Sequence, residues 1–179
     1  NKNLTEDQLF ETLKTALQGG WNGFKLYFMI GLPTETNEDV VAIADLLNRI
    51  NSLLKRYKSR KINVTISPFS PKPMTPFQWE AQNSVKTITE KIQLIRQNLR
   101  AKSIQLKTDN PVVNMLECRL GRGGRELGNV ILEAWKQGSR LDGWSEFFNA
   151  DIWQQSFKKA GIELESGSEA LDTVSHLPW

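Results

Sequence analysis

The amino-acid sequence predicts an α/β fold built on parallel strands, and three observations carry that expectation. Residues 23–30 form a β-prone apolar run, Lys25-Leu-Tyr-Phe-Met-Ile30 at its centre, that breaks at Gly31 and Pro33. A long amphipathic stretch follows. A second β-prone run, Ile62-Asn-Val-Thr-Ile-Ser67, comes after it. Strand, helix and strand within about 45 residues is the pattern of a βαβ unit, whose strands are parallel and whose crossover is nearly always right-handed. Because the first run is apolar on both faces, it is expected to be covered on both sides, as parallel strands under helices are.

The composition bounds the rest. A chain of 179 residues suffices for one good core with a small appendage, not for two full domains. A net charge of +3 is too small to argue for nucleic acid by itself. The single cysteine, Cys118, excludes an intrachain disulfide framework and suits a reducing cytoplasm. No apolar run approaches the roughly 18–20 residues that a membrane span needs, and no signal peptide is visible. The chain has no initiator Met and reads as a piece of something longer.

In chain order, Thr5-Glu-Asp-Gln8 has the form of a capping box, Leu9, Leu13, Ala16 and Leu17 share a helical face, and Gly19-Gly20 is the stop. After the first strand, a helix starts at Thr36 or Asn37 with Glu38 and Asp39 in its first turn, where the helix dipole favours acids. Val40, Ile43, Leu47, Ile50, Leu54 and Tyr57 make one apolar stripe along it. Pro68–Pro76 holds four prolines in nine residues, which forbids a helix or a central strand and predicts a stiff extended loop. Val85, Ile88, Ile92, Ile95 and Leu99 predict a helix over roughly 84–102, and 103–108 a short strand. Asp109-Asn110-Pro111 opens a helix to about Leu120. Leu127, Val130, Ile131 and Ala134 predict an inward face over 125–137, with Gly138 as the stop. Residues 141–144 read as a turn, 150–160 as a last amphipathic helix, and 161–179 as a polar tail.

Four features are candidates for chemistry. Gly31 permits close backbone approach to a ligand, Pro33 stiffens the turn, and Glu35 brings a carboxylate to the carboxyl edge of the sheet, where α/β folds bind ligands. The alternative is that Gly31 and Pro33 only make the turn, Thr34 or Thr36 caps the helix and Glu35 braces the loop. In the proline loop, Phe69 and Pro71 offer flat apolar surface for a heterocycle, with Lys72 and Thr75 as polar hooks. Alternatively the loop is a rigid connection that packs Phe77 and Trp79 on the core. Arg49, Lys55, Arg56, Lys58, Arg60, Lys61 and Lys72 lie between Asp45 and Glu80 with no acid among them. That run suits RNA phosphates, but most of it sits at a helix C-terminus, where bases complement the dipole. Arg119, Arg122 and Arg125 around three glycines suit either an anion at a helix N-terminus or internal salt bridges. Cys118 and His176 are each alone and make no metal site.

Two of these stretches carry a family resemblance. Phe28-Met-Ile-Gly-Leu-Pro-Thr-Glu-Thr36 resembles the fifth strand and following turn of the radical S-adenosylmethionine (SAM) barrel, a partial TIM-like (β/α)6 barrel of parallel strands. Ile66-Ser-Pro-Phe-Ser-Pro-Lys-Pro-Met-Thr-Pro-Phe-Gln-Trp-Glu80 resembles its sixth strand and exit loop. The likeness is to the uncharacterised group with an N-terminal cobalamin-binding domain, and the tRNA methylthiotransferases are more distant relatives. Glu126-Leu-Gly, Ala134-Trp and Asp142-Gly-Trp144 resemble the helical region after that barrel, so the resemblance divides the chain into a C-terminal half barrel, 1–108, and a helical extension, 109–179.

By that resemblance, Ile30, Gly31, Pro33, Glu35, Phe69 and Pro71 are cofactor-binding residues, contacting the adenosyl part of S-adenosylmethionine. It implies a 4Fe-4S cluster that reduces this cofactor and a 5′-deoxyadenosyl radical that abstracts hydrogen from an unknown substrate; cobalamin is a further implied cofactor. Two departures matter. The C-x3-C-x2-C cluster loop is missing, and Arg122-Gly-Gly-Arg125 stands where relatives tend to have Arg-Gly-Asp-Arg. A cluster needs several thiolates, so this chain is not expected to be active alone and supplies no catalytic or metal-ligating residue. Its implied partners are the N-terminal half of its own barrel and, through an open sheet edge, a second copy. The rival expectation is a non-catalytic α/β binding module that contacts RNA or a partner protein.

Overall fold

The computed structural model describes residues 5–57, 61–101, 103–174 and 177. Among them, three parallel strands form one sheet in the order β1-β2-β3, and there are six helices. The elements are α1 (Glu6–Gln18), β1 (Gly23–Ile30), α2 (Asn37–Lys55), β2 (Lys61–Pro68), α3 (Val85–Asn98), β3 (Ile104–Thr108), α4 (Pro111–Arg122), α5 (Leu127–Lys136) and α6 (Ala150–Lys159). None of the helices is long and apolar enough to cross a membrane.

Two compact units divide the chain. One comprises Asn1–Ile30, Glu35–Ser67 and Glu90–Thr108, and so contains the sheet. The other comprises Asp109–Trp179 together with the two strand-exit segments, Gly31–Thr34 and Pro68–Thr89.

In the first unit the strands obey a strict two-residue period. Ile62, Val64 and Ile66 of β2 are wholly buried, and parallel pairing sets them beside Ile104, Leu106 and Thr108 of β3. The alternate positions, Asn63 opposite Gln105 and Thr65 opposite Lys107, stay open or half-open. β1 does the same: Phe24, Leu26, Phe28 and Ile30 turn inward, whereas Lys25, Tyr27 and Met29 are exposed. The expectation of a strand covered on both faces is therefore corrected. Tyr27 is 65% and Met29 50% exposed, because no described element covers that face of the sheet. The covered face shares its core with Leu13 and Leu17 of α1, Val40, Ala44, Leu47, Ile50 and Leu54 of α2, and Ile92 and Ile95 of α3. Ile43 and Tyr57, expected on the same stripe, flank it half-buried.

The expected capping box at Thr5 forms, and a second forms at Thr36. Thr5 Oγ1 accepts from Gln8 N at 3.2 Å while Gln8 Oε1 accepts from Thr5 N at 3.0 Å. α2 starts at Asn37 and Thr36, rather than Thr34, caps it: its hydroxyl accepts from Asp39 N, and Asp39 Oδ2 accepts from Thr36 N at 2.9 Å. Asn48 of α2 bonds Asn98 O and Arg100 N, which fixes the end of α3 one turn before the predicted stop at 102.

The second unit is centred on Leu116, Leu127, Val130, Ala134, Trp153 and Phe157, where α5 packs on α6. Two expectations are corrected here. Ile131 lies outside the core, half-exposed, on the flank of α5. The segment after α6 is no loose tail: Ile162 and Leu164 pack on the cluster, Ser168 O accepts from Gln82 N and Leu171 N donates to Trp79 O.

Hydrogen bonds from the backbone N–H and then the hydroxyl of Thr36 hold the Asp39 carboxyl below its usual range. A lowered carboxylate stabilises the fold above its unfolded value, and that share is lost as pH falls through the lowered one. Thr36→Ala is expected to cost about 1 kcal/mol in urea unfolding near pH 7. The difference from wild type should shrink as pH falls through the lowered value of the Asp39 carboxyl.

Candidate functional site

β1 leaves its covered face at Ile30, which is fully buried, and turns at Gly31 with φ 80°. A Cβ at that glycine would stand 2.8 Å from Ile88 Cδ1 and 3.5 Å from Asn83 Oδ1. The close approach that requires glycine is thus to the chain's own residues at the start of α3. Thr34 also adopts a positive φ, 65°, which a β-branched residue rarely accepts. Leu32 is 37% exposed and Pro33 half-buried, so these two present the open surface of the turn.

Glu35, in the first unit, is no open carboxylate. Lys91 Nζ donates to its Oε1 at 2.7 Å, and the two side chains are 8% and 10% exposed. A lysine in α3 gave no signal in the sequence, because its partner lies 56 positions away. A buried ion pair of this kind fixes geometry more than it adds stability, since desolvation offsets most of the attraction.

The proline loop is built by side chains from elsewhere in the second unit. Asn114 Nδ2 donates to Pro68 O at 3.1 Å, and Gln82 Nε2 donates to Phe69 O at 3.3 Å and to Asn114 O at 3.2 Å. Thr75 Oγ1 donates to Lys72 O, and Lys72 ion-pairs with Glu117. Phe69 and Pro71 are both buried, Phe69 edge-on to Phe77 with ring centres 5.9 Å apart. The flat apolar surface expected of Phe69 and Pro71 is therefore turned inward. Phe77, 48% exposed, and Met74, 79% exposed at φ 57°, carry the open surface instead. Buried acceptors are left over as well: among the described residues, Asn83 Oδ1 and Gln82 Oε1 have no hydrogen-bond partner.

The arginine-rich segment is an internal bracket. α4 runs to Arg122, which is buried and donates to Glu80 O at 3.1 Å and Glu169 O at 3.2 Å. Arg119 approaches Glu126 at 3.8 Å, and Arg125 is exposed. Beneath it burial pushes the Cys118 thiol up, partly offset by the nearby Arg122 guanidinium and Ser70 hydroxyl. Within the basic run Arg49 pairs with Glu6 at 2.5 Å and lies over the Phe10 ring. Lys58, Arg60 and His176 lie outside the described residues, as does the Lys61 side chain. Among the described residues no three His, Cys, Asp or Glu side chains are grouped to hold a metal.

No protein-family profile matches the chain, and no solved structure does. An uncharacterized protein of Methanocaldococcus jannaschii is similar, 26% identical over 163 residues that cover 86% of this chain. The chain spans about a third of that relative's length, 35%.

Lys91→Met, which leaves the Glu35 carboxylate without its lysine, should cost about 3 kcal/mol in urea unfolding. Adding Glu35→Gln should recover most of the loss; a double variant no better than the single would show that the pair is not the coupled unit. Gly31→Ala is expected to cost about 1–2 kcal/mol, from the positive φ and the Ile88 contact together.

Proposed function

We propose that this chain is the C-terminal part of a radical S-adenosylmethionine barrel with its helical extension. In the full-length protein its two strand-exit loops form part of the S-adenosylmethionine pocket. The one-sided sheet carries this reading. Parallel strands covered by helices on one face, and open and mostly polar on the other, suit a section of barrel wall whose inner side meets a substrate.

The residues fit the two implied groups differently. The cluster does not fit: with one cysteine, buried in α4, the chain cannot ligate four irons, and no step through a cluster is derived from it. The adenosyl group fits in part. Leu32 and Pro33 on one loop and Met74 and Phe77 on the other offer open apolar surface, whereas Phe69, Pro71 and Glu35 hold those loops in place. Asn83 Oδ1, buried beside Gly31 and lacking a donor, suits the exocyclic amine of an adenine. No described residue bears on cobalamin, which belongs in this reading to a separate N-terminal domain. The setting is a reducing cytoplasm, in keeping with the single thiol. The substrate remains a proposal of class only: a molecule that lies against the open face of the sheet.

Asn83→Leu in the full-length protein separates a binding role from a structural one. Removing an unsatisfied buried acceptor should leave the melting temperature unchanged or slightly higher. S-adenosylmethionine affinity, read by calorimetry, should fall about tenfold, the worth of roughly one hydrogen bond. Unchanged affinity would remove Asn83 from the pocket. A full-length sequence without a three-cysteine loop ahead of Asn1 would remove the family reading altogether.

A further inference from the structure

Six of the thirteen large apolar residues left exposed among the described residues fall between positions 131 and 147: Ile131, Leu132, Trp135, Leu141, Trp144 and Phe147, each about half or more exposed. Such a concentration is not scattered surface hydrophobicity. On α5, Leu127, Val130 and Ala134 face the cluster shared with α6. At 100° per residue, Ile131, Leu132 and Trp135 occupy the adjoining side, so apolar residues cover more than half of the helix circumference. A helix with one buried partner needs less. Leu141, Trp144 and Phe147 then step by three along a turn closed by Trp144 N to Leu141 O and Phe147 N to Trp144 O. Arg140 ties that turn to α5, since its guanidinium donates to Trp135 O at 2.7 Å and stacks over the Trp135 ring at 4.6 Å.

We infer that this face of the second unit is a two-fold interface with another copy of the chain. Two observations choose that occupant. The six residues expose about 700 Å² together, taking each large apolar residue at roughly 200 Å². One partner in a standard stable interface contributes about 800 Å². The charges within 131–147 are mixed, Lys136 and Arg140 against Glu133, Asp142 and Glu146. A slight acidic excess disfavours an anionic lipid surface or a nucleic acid. Both signs on one patch suit a copy related by a two-fold axis, where each patch meets itself. Arg140, Asp142 and Glu146 make no ion pair among the described residues, and the exposed Arg140 and Glu146 are placed to pair across the axis.

The inference stands apart from the S-adenosylmethionine reading, and light scattering after size exclusion on the full 179-residue chain tests it. Over about 1–100 µM, the upper range for an interface of this size, the chain should run as a concentration-dependent dimer. Trp135→Glu should weaken the dimer at least about tenfold, and Tyr27→Glu, on the open face of the sheet, should leave it within about twofold. If circular dichroism shows that Trp135→Glu does not fold, Leu132→Lys replaces it, because that change spares the Arg140 stack. A monomer throughout, a dimer lost on Tyr27→Glu but not on Trp135→Glu, or a monomer that binds phosphatidylcholine–phosphatidylserine vesicles through Trp135 would each overturn the inference.

Discussion

A strand that ends in a proline-rich loop leaves carbonyls that no neighbouring strand or helical turn satisfies, and buried carbonyls must be satisfied. Here the donors are the side-chain amides of Gln82 and Asn114, aimed at Phe69 O and Pro68 O. With those bonds made, Phe69 and Pro71 pack inward and the loop needs no regular structure of its own. Arg122 applies the same solution one step further on, donating to Glu80 O and Glu169 O and so anchoring both the loop's exit and the segment after α6. The irregular segments of the second unit are held by three side chains that reach across it.

This division of labour explains what the sequence did and did not reveal. Local signals were legible: Thr5 and Thr36 cap as their spacing implied, Asn110 and Pro111 start α4, and the helical stripes found the core of the first unit. Each depends on residues three or four apart. The roles of Gln82, Asn114, Lys91 and Arg122 depend on partners 13 to 56 positions away, which periodicity does not register. The exposed face of β1 was misjudged for a related reason. Tyr27 and Met29 are apolar enough to be buried, and their chemistry says nothing about whether an element is there to bury them.

The candidate site shows the same split. Ile30, Gly31, Pro33 and Glu35 do lie at the exit of β1, and Phe69 and Pro71 at the exit of β2. Their positions were legible from the punctuation of glycine and proline, but their orientations were not. Glu35 is neutralised by Lys91, and Gly31 is required by Ile88. The open apolar surface of the two loops belongs instead to Leu32, Pro33, Met74 and Phe77. A loop motif in a sequence thus marks where the chain turns; which of its side chains stay open is decided by the packing around it.

Cys118 closes the account from a practical side. Its thiol is 2% exposed and held in its protonated form by burial, so it is a poor nucleophile and slow to oxidise. The chain should therefore react only slowly with maleimides and spin-label reagents at this position. A single cysteine introduced at any open position becomes a unique attachment point, and distances between labelled sites become measurable without first removing the native thiol.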